Sequence, residues 1–255
     1  MKKYLYSFFF FMFIISSIHA QNFEIYKKKG DQFWLKRDIT KQLIKAIDAY
    51  KQAIELTHDK NEKRQIWGKI SYGFYLLGDS MTERKNRKAA FYNGYISAEK
   101  VLEMDQHDPK ANYFHVINKL SYKDESGIFY VILYLKEFNR RMNLVMKQDK
   151  YLLYGGPQRV LARMIHFTPF LLRSKFSVGT LHDAETMLKE AINTEPRLAL
   201  NRVFLADIYL DMNKKILAKK ELIKVLKSPV NEEFDLAPEN RLSIKMAKSL
   251  MLKHF

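Results

Sequence analysis

The chain has 255 residues, 47% of them hydrophobic, with 44 Lys and Arg against 28 Asp and Glu and no cysteine. That length holds one large domain or two small ones, and the missing cysteines exclude disulfides, thiolate nucleophiles, Cys-based metal sites and a lipid-attachment cysteine. Only 9 Gly and 6 Pro, with no regularly spaced β-branched runs and turn pairs, point to an all-helical chain.

Lys2 and Lys3 precede an apolar run from Tyr4 to Ile15, and Ser16, Ser17 and Ala20 follow. A basic start, an apolar stretch and a small residue at the end read as a secretory signal peptide over 1–20, cleaved after Ala20. The alternative is an uncleaved anchor, since the run is only slightly short for a span. No later segment is long and apolar enough to cross a membrane. The expectation is an exported protein of the periplasm or cell envelope and, without cysteine, not a lipoprotein. Removing residues 1–20 takes away two lysines and no acid, so the net charge goes from +16 to +14. Such a balance suggests nucleic acid or an anionic surface. Export argues against nucleic acid. The cations are also dispersed over many helices, which reads as solvated outer faces, with an acidic partner or an anionic membrane surface as the functional alternative.

Residues 21–30, with Tyr26-Lys27-Lys28-Lys29-Gly30, read as a tether, and 31–255 as one helical domain. Asp38 or Thr40 is placed to cap a helix carrying Leu43, Ile47, Tyr50, Ala53 and Ile54 on one face. The next helix runs from about Lys60 to Leu77, with Gly78 as its C-terminal stop. Gly78-Asp79-Ser80 resembles a hydrolase serine turn only superficially: a nucleophile needs a base and an oxyanion site, and neither is visible. Glu83 to Met104 forms a long helix in which Ala89, Ala90, Gly94 and Ala98 imply close helix contact. Asp105, His107 and Asp108 are side chains of metal-binding type, yet they precede Pro109, where a turn opens the next helix, and no supporting ligands appear at helical spacing.

That helix, Lys110 to about Tyr122, carries Tyr113 and Phe114. The run Ile128 to Leu135, continued by Phe138, Met142 and Val145, is expected as a long helix, apolar nearly all round and central in the bundle. Alternatively it lines an apolar cavity, with Phe129 and Tyr130 facing in. Tyr154-Gly155-Gly156-Pro157 is the sharpest turn in the chain. Gly156 suits the N-cap and Pro157 the first helical position, with Arg159 one turn on. Free N–H groups beside that cation suit a carboxylate or phosphate; a tight connection between helices is the structural alternative. Residues 168–179, with Phe170 and Phe176, read as a loop placed to cover a groove or pore.

From Leu181 to Pro229 a period emerges. Ala184 to Ala218, Leu188 to Leu222 and Ala191 to Val225 are each 34 residues apart, with Leu205, Ala206 and Tyr209 between the sets. This is the step of the tetratricopeptide repeat (TPR), in which two antiparallel helices form one unit and units stack. Small residues let helix axes approach and Leu and Tyr fill the space. Pro238 opens a final helix with a lysine-bearing outer face, as a capping helix needs. The fold class expected is therefore all-α: a TPR-like solenoid of antiparallel helix pairs with a C-terminal cap.

YGGPQRVLARM at 154–164, followed by ETMLKEAINTEPRLALNRVFLADIYL at 185–210, resembles the T-component family of tripartite ATP-independent periplasmic (TRAP) transporters. The resemblance covers about residues 35–252, its specific part being 154–210. It implies an exported helical-repeat accessory of a periplasmic solute-binding protein, trimeric in some members, with an apolar pore or groove for small hydrophobic ligands. The anchoring cysteine of some members is missing. Two functions follow as expectations. One is a transport accessory handling a hydrophobic ligand in a tunnel lined by Tyr113, Phe129, Tyr130 and Phe170, beside Tyr154, Gly155, Gly156 and Arg159. The other is a scaffold for protein–protein interaction in the envelope, with a groove lined by Asn201 and Lys214. No nucleophile–base set, carboxylate pair or metal cluster stands out, so the chain reads as non-enzymatic, with no catalytic residue, metal or cofactor.

Overall fold

The computed structural model describes residues 21–175 and 179–255. The expected signal peptide and Phe176 lie outside them. Among the described residues there are helices and turns and no strand. The helices are α1 (21–34), α2 (Thr40–Glu55), α3 (Lys60–Ser80), α4 (Arg84–Leu102), α5 (Pro109–Asp124), α6 (Ile128–Asp149), α7 (Leu152–Phe167), α8 (Phe170–Lys175), α9 (Leu181–Thr194), α10 (Ala199–Asp211), α11 (Lys215–Lys227) and α12 (Ala237–His254). The chain divides into two compact units, one ending at Arg141 and one starting at Met142.

In the first unit, residues 21–30 are helical, not a tether. Phe23, Tyr26 and Gly30 recur at helical spacing on the inner face, Lys27 at its edge pairs with Glu62 of α3, and Lys28 and Lys29 are exposed. Phe23 belongs to the core with Leu43, Tyr50, Ile66, Ile70 and Phe74. Gly30 lies so close to the Tyr50 ring that a Cβ would stand 2.5 Å from it. Asp31 accepts a 2.7 Å hydrogen bond from the Tyr50 hydroxyl. The N-cap of α2 is Ile39, without a side-chain cap, so neither Asp38 nor Thr40 performs that task.

Gly78 does not end α3, which continues to Ser80. Its hydrogen faces the Phe91 ring of α4, where a Cβ would stand 2.6 Å from Cε1. Glycine there permits close approach of two helices, and the Ser80 hydroxyl donates to Leu77 O at 2.8 Å. Asp108 is the N-cap of α5: its Oδ1 accepts from Ala111 N at 2.8 Å, and its Oδ2 pairs with Arg64 at 2.8 Å. Its carboxylate is thereby fully engaged in holding a helix start. The helix expected to be buried nearly all round is buried on one side only. Val131, Tyr134, Leu135, Phe138, Met142 and Val145 of α6 are buried, while Ile128, Phe129, Tyr130 and Leu133 are exposed.

The second unit carries the 34-residue register. Ala184, Leu188 and Ala191 of α9 are fully buried, as are Ala218 and Leu222 of α11, and Val225 is 1% exposed. Leu205, Ala206 and Tyr209 of α10 join the same core, which Ala247 of α12 closes. Successive helices pack on one another in chain order: α9 on α10, α10 on α11, α11 on α12. Thr180 and Asp183 form a capping box at the start of α9, and Pro196 sits in the turn before α10. Part of the expected 168–179 loop is the short helix α8.

Candidate interaction surface

Five of the nine residues singled out from sequence gather in the second unit around the start of α7. Leu153, Tyr154 and Gly155 take left-handed conformations in succession (φ 49°, 57° and 79°) before the helix resumes. A Cβ on Gly155 would stand 2.7 Å from the Cβ of Ala191, so this turn presses α7 onto α9. Gly156 follows, buried. Arg159 reverses direction onto the turn. Its guanidinium donates to Asn201 Oδ1 at 2.8 Å, Leu153 O at 3.2 Å and Tyr154 O at 3.4 Å. Arg159 is 8% exposed and Asn201 is fully buried. The cation is therefore occupied as the clamp of a strained turn. The anion site expected there is a structural device, and Asn201 lines no groove. The Tyr154 hydroxyl donates to Asp235 Oδ1 at 3.1 Å and its ring packs on Phe234. Burial, then that bond to the carboxylate, pushes the phenol above its ordinary value. Lys214 pairs with Glu185 at 2.9 Å.

Of the four aromatic residues expected to line a tunnel, Tyr113, Phe129 and Tyr130 lie in the first unit and Phe170 in the second. Tyr113 is 4% exposed and packs edge-on against Phe114 in the core of the first unit. Phe129 and Tyr130 stand beside each other, ring centroids 6.0 Å apart, but project outward at 64% and 47% exposure. Phe170, in the second unit, is 79% exposed. Each is a surface or a core residue within its own unit.

A belt that sequence reasoning missed extends from Tyr130. Lys123 Nζ lies 5.7 Å from the Tyr130 ring and 5.7 Å from that of Tyr122. Tyr122 packs against Tyr92 and Tyr95, with centroids 5.8 and 5.7 Å away. Lys88 sits over Tyr122, and Lys119 over Tyr95 and Tyr134. These tyrosines and lysines alternate across α4, α5 and the start of α6. Three- and four-residue spacings (Lys88–Tyr92–Tyr95, Lys119–Tyr122 and Lys119–Lys123) were the available signal. Burial, then the neighbouring Tyr92, Glu99 and Tyr122, pushes the Tyr95 hydroxyl up to about 12. That phenol stays neutral at any physiological pH.

Beside the belt lies a half-buried polar layer between α5 and α6. Arg141 donates to Asn112 Oδ1 at 2.8 Å and to Glu137 Oε1 at 3.0 Å, and Lys119 pairs with Glu137 at 3.4 Å. Burial alone would raise the Glu137 carboxyl, but the Arg141 bond and the Lys119 charge hold it below its ordinary value. His115 is fully buried, with its Nε2 3.3 Å from Glu99. Among the described residues no group of three or more acidic, His or Cys side chains is arranged to hold a metal ion. No model of a known protein family matches the chain, and no curated protein matches it.

Proposed function

We propose that the chain is an exported, non-enzymatic helical-repeat scaffold that binds another protein of the cell envelope. The observation that carries this reading is the register of the second unit. Side chains 34 residues apart, Leu188 and Leu222 or Ala184 and Ala218, occupy equivalent fully buried positions on α9 and α11, with α10 between them. Repeats of that kind are proposed here to stack as a TPR-like solenoid of antiparallel pairs, with α12 as the cap. Solenoids of this type hold their side chains in a rigid frame and leave surface for a partner. The resemblance to the TRAP transporter T-component supplies the partner class: a periplasmic solute-binding protein. A small hydrophobic ligand in a tunnel is the second reading. It receives less support, because Phe129, Tyr130 and Phe170 project into solvent. The test is capture from the envelope fraction with the full chain as bait. Recovery of a solute-binding protein supports the transport-accessory reading. Recovery of an unrelated envelope protein keeps the scaffold and removes the transporter, and recovery of nothing above a bait-free control overturns both.

A further inference from the structure

We propose that the outer face of α6, together with the Tyr–Lys belt of α4 and α5, docks onto an anionic phospholipid surface. The outward stripe of α6 runs Phe129, Leu133, Lys136 and Arg140, all exposed, in steps that return to one side of a helix. Its first half is apolar and its second half cationic. The exposed residues of α6 include no acid; Glu137, on the flank, is held by Lys119 and Arg141. Ile128, Phe129, Tyr130 and Leu133 are 47–65% exposed, which leaves a contiguous apolar tip in water. Patches of that kind mark a surface that something covers.

Charge decides what covers it. A second copy of the chain would bring Lys136 and Arg140 toward cations of the same set, or strand them on an apolar tip. An anionic partner relieves both halves at once. The belt then selects a bilayer over a protein. Tyr92, Tyr122 and Tyr130 each carry an apolar ring with a polar end, and Lys88, Lys119 and Lys123 lie along rings of the belt. Amphipathic rings settle at the level of lipid headgroups. Lysine stems lie on apolar surface while the ammonium reaches phosphate. Phe129 and Leu133 are then the side chains that enter the acyl boundary, and the cations hold the face flat against negative charge. The acids nearest the face are Glu125, gripped by Arg87 and Arg84, Asp124 beside Lys123, and Glu99, one turn on from Tyr95 and turned to His115. Against them Lys88, Lys119, Lys123, Lys136 and Arg140 keep the cations in excess.

The experiment reads the environment of one position in the full chain, whatever the N-terminus does. Leu133→Trp adds a reporter at a site 65% exposed, against the constant background of Trp34 and Trp67. Its fluorescence is followed on addition of vesicles of phosphatidylcholine alone or with phosphatidylglycerol, with and without brominated acyl chains. The expected result is a blue shift and bromine quenching with anionic vesicles only. Lys136→Glu with Arg140→Glu should raise the lipid concentration for half-saturation by at least about tenfold. Leu252→Trp, on a side chain 90% exposed in α12, should stay in water throughout. Four outcomes of the reporter measurements alone overturn the proposal. They are a reporter at position 133 that remains water-exposed, equal response to zwitterionic vesicles, a blue shift without vesicles that grows with protein concentration, and an equal response from the reporter at position 252. The third identifies a second copy as the occupant. Displacement of the vesicles by an acidic polypeptide that itself blue-shifts the Leu133→Trp variant identifies a protein instead and also overturns it.

Discussion

Asn118 ties three helices together because position 94 carries no side chain. Its amide donates to Ser71 O at 3.2 Å and to Phe114 O at 2.9 Å, and the Ser71 hydroxyl donates to Gly94 O at 2.7 Å. A Cβ on residue 94 would overlap the Asn118 carboxamide. Gly94→Ala should therefore cost about 1–3 kcal/mol in denaturant unfolding. Combined with Asn118→Ala it should cost less than the two single changes together, since one side chain cannot clash with another that is gone. Strict additivity would mean that the contact is not the cause. A second prediction concerns His115. Burial, reinforced by the charges of Arg141, Lys119 and Arg140, lowers it from 6.5 to about 2. The unfolded chain takes up a proton near pH 6.5 that the folded chain refuses. The stabilisation is complete above that pH and shrinks as pH falls toward 2, at up to about 1.4 kcal/mol per pH unit. His115→Gln should flatten the fall between pH 6.5 and 5 by one proton's worth. His166 is also lowered, by burial first and Arg163 next, so the difference between the two proteins is the informative quantity. An unchanged slope would show that His115 charges in the folded state. The sequence showed neither device. Gly94 reads there as one more small residue, and a lone histidine at 115 has no partner until α4 and α6 are placed around it.

Elements were legible where one physical demand repeats. The Ala and Leu positions of α9 and α11 had to be small or apolar at a fixed interval, and all of them are buried. The turn at Tyr154–Pro157 was legible because glycine followed by proline has few other uses, although its left-handed run starts at Leu153. Other elements misled for a common reason: composition does not say which side of a helix faces the core. The lysine-rich 21–30 segment hides Phe23 and Gly30 on its inner face, and the apolar start of α6 carries its surplus on the outer one. At Gly78 the error was to take a residue that admits a neighbouring ring for a stop. The register makes its own prediction. Leu188→Ala and Leu222→Ala remove equivalent fully buried side chains, and each should cost about 2–5 kcal/mol. Leu252→Ala, at 90% exposure, should stay within about 0.5 kcal/mol of wild type. A cost for Leu222→Ala near that of Leu252→Ala would break the equivalence on which the repeat reading stands.

Two cores in one chain have a consequence for the whole molecule. The first unit centres on Tyr50, Ile70 and Phe74, and the second on Leu188, Leu205 and Leu222. Most of the packing in each unit is between helices near in sequence: α2 with α3, α3 with α4 and α4 with α5 in the first, and α7 with α9 and α9 through α12 in the second. Stability that is mostly nearest-neighbour should fail locally, with openings confined to the unit that lost its contact. Native-state hydrogen exchange on Leu188→Ala is the measurement. The expected pattern is faster exchange for buried amides of α7 and α9 to α11, with α2 to α5 unchanged. Ile70→Ala, another fully buried position, should give the reverse. If either substitution accelerated both sets equally, the chain would be one cooperative body. The interaction surface on α6 would then share its stability with the repeats. If the two sets respond separately, the α6 face can be altered for the lipid test without loosening α9 to α12. That separation is what makes the Leu252→Trp control in the second unit meaningful for a reporter in the first.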